Sequence, residues 1–90
     1  MSLYTYTFLE ENFKREQVTA HLDTWTPIKN WFYCLPNMVF IETNLSAKAL
    51  SEGLSNKFGK HRHFISRVSS NDRWGVLPKD QWNLFPNDNG

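Results

Sequence analysis

The ninety-residue chain has one cysteine, Cys34, which rules out an internal disulfide and any multi-cysteine zinc site and fits a reducing compartment. It also lacks any run of roughly 18 apolar residues, the length a membrane-spanning helix needs. The start, MSLYTYTFLEEN, has neither a basic opening nor a long apolar stretch, so no secretory leader is read there and a cytoplasmic location is expected. Net charge is only +1, which by itself selects no acidic or basic partner. No P-loop, G-x-G-x-x-G, G-x-S-x-G or H-E-x-x-H motif occurs. Internal repeats and low-complexity tracts are absent as well.

What the chain does have is aromatic mass: four Trp, three Tyr and seven Phe, 16% of all residues. A domain this short buries only about 60–65% of its unfolded surface, and large rings let a small core form from few residues. Rings left over mark interfaces or stacking platforms. Charge is also uneven. Residues 1–56 carry four Lys/Arg against six Asp/Glu, whereas residues 57–79 carry Lys57, Lys60, Arg62, Arg67, Arg73 and Lys79 against Asp72 alone.

Leu3 to Phe8, LYTYTF, alternates Tyr4, Tyr6 and Phe8 with threonines, the period-2 pattern of a strand. Glu10, Glu11 and Asn12 suit the start of a helix, and Val18, Leu22 and Trp25 then form an i, i+4, i+7 stripe, predicting a helix over residues 12–24. Thr26-Pro27 ends it. Lys29–Leu35 and Met38–Thr43 are apolar runs separated by Pro36-Asn37, a β-hairpin. Ser46 as N-cap, the stripe Ala47, Leu50, Leu54, Phe58 and a closing Gly59 predict a second helix over 46–58. Within it, Gly53 costs roughly 1 kcal/mol. A fourth strand follows in HFISRVS, residues 63–69, and Pro78 opens a short C-terminal helix carrying Trp82 and Phe85. One domain over residues 2–86 accounts for these elements, with a polar tail at 87–90.

The order βαββαβ is two strand–helix–strand units joined by a hairpin. Right-handed crossovers place both helices on one face of a four-stranded antiparallel sheet, the α+β ferredoxin-like arrangement. The other face is left without a helix. In layout the sequence resembles the CRISPR-associated protein 2 superfamily, including its SinR-like relatives of unassigned role. The resemblance rests on Tyr4–Phe8, Trp31–Leu35, Met38–Thr43, the Asn44-Leu45-Ser46-Ala47 helix start and Phe64–Val68. The WGVLPKDQW stretch is similar to a G-W-L-P-K-x-x-W element of small uncharacterised bacterial proteins.

That resemblance implies a homodimer paired through its sheets. It also points to an aspartate at the end of the first strand that would hold Mg²⁺ or Mn²⁺ in a nuclease. Here the position offers Glu10 and Glu11 instead, which equally serve as acids at a helix N-terminus. The expectation is therefore a small non-catalytic dimer without cofactor, with a metal-dependent nuclease using Glu10 or Glu11 as the alternative. For nucleic acid, RNA or DNA, the candidates are Lys57, Lys60, Arg62, Arg67, Arg73 and Trp74. For an interface with a second copy or another protein they are Tyr6, Trp31, Tyr33, Trp74, Trp82 and Phe85, with the C-terminal segment either crossing to the partner or folding back. His61 and His63 supply at most half a zinc site, so no metal centre is expected. Cys34 reads as a small buried hydrophobe.

Overall fold

The computed structural model describes residues 1–9, 13–69 and 73–85. Glu10, Glu11 and the expected tail at 87–90 lie outside them. The elements are β1 (Ser2–Phe8), α1 (Arg15–Thr24), β2 (Ile28–Leu35), β3 (Met38–Thr43), α2 (Ala47–Phe58), β4 (His63–Arg67) and α3 (Lys79–Trp82). The strands form one antiparallel sheet in the order β2-β3-β1-β4, so β1 is central and β2 and β4 are edges. This is the ferredoxin-like order that the βαββαβ sequence requires.

Strand pleating sorts the β1 side chains between two faces. Tyr4, Tyr6 and Phe8 point towards the helices and join Val39 and Ile41 of β3, Val18 and Leu22 of α1, and Leu50 and Leu54 of α2 in the main core. Leu3 points the other way and packs with Phe32 and Phe40 in a second, smaller cluster. The face without α1 or α2 is therefore apolar too. Phe85, just after α3, partly covers it, its ring 5.0 Å from Phe32 and 4.8 Å from Phe40. The C-terminal segment thus folds back over its own sheet.

Helix α1 starts three residues later than predicted. Phe13 is the reason: its ring stacks on Phe58 at 4.8 Å and Phe8 at 5.8 Å, 6% exposed, so Phe13 is committed to the core rather than to a helical turn. The cap falls to Gln17, whose side chain accepts from the Lys14 N–H at 2.8 Å. Helix α2 begins as expected, with Ser46 Oγ accepting from the Ala49 N–H at 3.1 Å. It ends at Gly59, whose φ of 82° favours glycine, but ψ of 169° turns the chain into an extended exit rather than the expected left-handed cap.

Gly53, a cost in a lone helix, has a packing role here. The six-membered ring of the Trp25 indole reaches Gly53 of α2, and a Cβ on residue 53 would overlap Cη2 and Cζ2 of that ring. His21 stacks on the indole at 5.2 Å. The missing side chain is what lets the C-terminal end of α1 lie against α2.

Candidate functional site

Two places gather chemistry-bearing side chains. The first is where β1, α2 and the start of β4 meet. His61 Nδ1 lies 2.8 Å from the Gly59 carbonyl and His63 Nδ1 lies 2.9 Å from the His61 carbonyl. Carbonyl oxygens only accept, so each ring carries its proton on Nδ1 and a neutral ring offers Nε2 as an acceptor. The Tyr6 hydroxyl then donates to His61 Nε2 at 2.6 Å, and the Ser51 hydroxyl donates to His63 Nε2 at 2.7 Å. Tyr6 is fully buried, and burial pushes its phenol well above the usual tyrosine range. The two imidazoles lie 4.4 Å apart and Phe13 meets His61 edge-on at 4.9 Å.

Ser51 and His63 form a hydroxyl–imidazole pair, the first link of a nucleophile and its base. Here a backbone carbonyl orients the imidazole, and Ser51 sits within α2, half-buried. What the arrangement does is tie α2 and β1 to the start of β4 with every donor and acceptor matched. Among the described residues no group of three His, Cys, Asp or Glu side chains is placed to hold a metal ion. Sequence patterning missed Phe13, Ser51 and the Tyr6–His61 pair, because nothing local announces a contact between residues 55 positions apart.

The second place is the face that α1 and α2 leave open. Residues 73–85 arch over part of it and enclose a cleft of about 430 Å³ floored by Phe40, Met38 and Val68 and roofed by Trp74, Trp82 and Phe85. Among the described residues Arg73 is its one charged lining residue, the guanidinium 5.1 Å from the Phe85 ring centre. Trp74 and Val76 on this arm are 95% and 99% exposed, and Phe64 on β4 is 70% exposed.

The expected interface residues divide sharply. Tyr6 has no exposed surface and faces the helices, so it belongs to the core and not to an open sheet face. Trp31 and Tyr33 also lie on the helix side of β2. The indole N–H of Trp31 donates to Asp23 of α1 at 2.6 Å, and Arg15 of α1 sits 3.9 Å over the Tyr33 ring. Strand phase decides this, since Trp31 is paired with core-facing Ile41. Trp74, Trp82 and Phe85 are on the arm, the latter two half-buried.

The expected basic patch is likewise split among three places. Lys57, Lys60 and Arg62 surround the α2–β4 junction. Arg67 is five positions further along, about 17 Å at strand rise, and on the helix side opposite Tyr4. Arg73 and Trp74 stand on the arm over the other face. Cys34 is half-buried with Phe32 and Phe40, and burial raises its thiol above the ordinary range. No helix among the described residues is long and apolar enough to cross a membrane. Comparisons with protein-family models, curated proteins and solved structures gave no match.

Proposed function

We propose that the chain is a small non-catalytic protein of the CRISPR-associated protein 2 superfamily type, pairing with a second copy through the outer edge of β4 and associating with nucleic acid. The observation that carries the pairing is Phe64, 70% exposed on an edge strand whose register with β1 runs without a break. The opposite edge, β2, has two register shifts, a device that discourages strand addition. An antiparallel strand pairing with its own copy makes an isologous two-fold contact, the commonest closed assembly. That axis would bring the exposed cations Lys60 and Arg67 of both copies to one surface, which supports the nucleic-acid half of the reading.

Sedimentation equilibrium is the test of pairing. A dimer at micromolar concentration that falls to monomer in Phe64→Asp is expected, and a wild-type monomer at high micromolar concentration overturns it. Incubation with labelled RNA and DNA in Mg²⁺ or Mn²⁺ should leave both intact. Cleavage that disappears in Glu10→Gln would overturn the non-catalytic reading.

A further inference from the structure

From the cleft beneath the arm, we infer a binding site for one unpaired base of a single-stranded nucleic acid, stacked on Trp74 with its phosphates held by the positive charge of Arg73 and Lys79. The inference rests on the nucleic-acid half of the proposal above and names where and what kind of strand is bound.

Trp74 carries the argument. A tryptophan 95% exposed has its whole π-face open to solvent, and this one stands 6.3 Å from Trp82 with the two rings inclined at 42°. The pair forms an open V, with Trp82 braced from behind by Phe85 at 5.3 Å. Trp74, Gly75, Val76 and Leu77 have no secondary structure and make no backbone hydrogen bond to another described residue, so the Trp74 ring can adjust to a flat ligand. A cleft of about 430 Å³ falls in the range of sites for small planar ligands.

Charge selects among flat ligands. Among the described residues the cleft's lining holds Arg73 and no acid, and Lys79 opens α3 two positions after the lining residue Leu77. Lys79 has no acidic partner among the described residues, and Asp80 is the one described acid on the arm. Rings that accept any base, beside cations that accept any phosphate, suit single strands without sequence preference. Duplex bases are already stacked on their neighbours and cannot enter the V.

The experiment titrates the intact protein with fluorescein-labelled twelve-nucleotide oligothymidylate at 50 mM salt, reading anisotropy and tryptophan quenching together. Binding with quenching is expected, weakened on the order of tenfold in Trp74→Ala and restored in large part in Trp74→Tyr. Trp74 is too exposed for its removal to threaten the fold, and a circular dichroism spectrum of the variant matching that of wild type is the check. Lys79→Gln should lower the slope of log affinity against log salt by about 0.7. Equal affinity of wild type and Trp74→Ala, or preference for a duplex of the same length, overturns the stacking site while leaving nucleic-acid association standing. Absence of any binding at 50 mM salt overturns both. Affinity for the oligonucleotide that persists undiminished at 1 M salt overturns the phosphate contacts assigned to Arg73 and Lys79.

Discussion

Tyr6 shows how one hydroxyl sets a local design. Its ring is wholly buried, its hydroxyl bonds His61 among the described residues, and His61 is itself only 9% exposed. Tyr6→Phe keeps the ring and removes the donor, leaving His61 Nε2 in the core with no partner. A lone buried acceptor costs more than a hydrogen bond gains, and a loss of about 1–3 kcal/mol in urea unfolding is expected. Tyr6→Phe combined with His61→Leu should lose less than the two single changes summed, because it removes both polar groups together. Strict additivity would show that the hydrogen bond contributes nothing.

At the scale of elements, patterning located all four strands and both long helices, because period-2 and period-3.6 repeats are local properties of LYTYTF, MVFIET and NLSAKALSEGLSNKF. It could not assign faces in β2. There Trp31, Phe32 and Tyr33 are all aromatic, so only pairing with β3 decides which ring meets α1. The candidate site was legible to the same extent: Trp74, Trp82 and Phe85 stood out as surplus rings, whereas the scattering of the five expected patch cations depended on how β4 and the arm lie in space. Gly53 carries the same lesson. Read along α2 it is a weak point, and read across to Trp25 it is the contact surface. Gly53→Ala should therefore destabilise by about 1–3 kcal/mol, as overpacking does, although the same change in an open helix stabilises. In a Trp25→Ala background the sign should reverse, to a gain of roughly 0.5–1 kcal/mol. If Gly53→Ala stabilises the wild type, the indole is not against α2.

For the whole molecule, burial of titratable groups narrows the pH range of stability from both sides. Burial, and secondarily the nearby Lys57 ammonium, lowers the His21 imidazole below its ordinary value. The unfolded chain then takes up a proton at His21 as pH falls through about 6.5, while the folded chain does so only lower down. The contribution is present above about pH 6.5 and is lost on further acidification; its size is small because the ring is partly solvated. On the alkaline side the signs run the other way. Burial raises the Cys34 thiol and, much more, the Tyr6 phenol, so the unfolded chain gives up these protons first. Stability from Tyr6 is intact below about pH 10, the unfolded value, and is lost as pH climbs beyond it. Urea midpoints measured from pH 5 to 11 should trace a plateau near neutrality with a shallow acid shoulder and a steep alkaline fall. His21→Gln should flatten the shoulder alone and Tyr6→Phe the alkaline fall alone, each from its own lowered or raised starting point. An acid shoulder that persists unchanged in His21→Gln would mean that the proton is not taken up at His21.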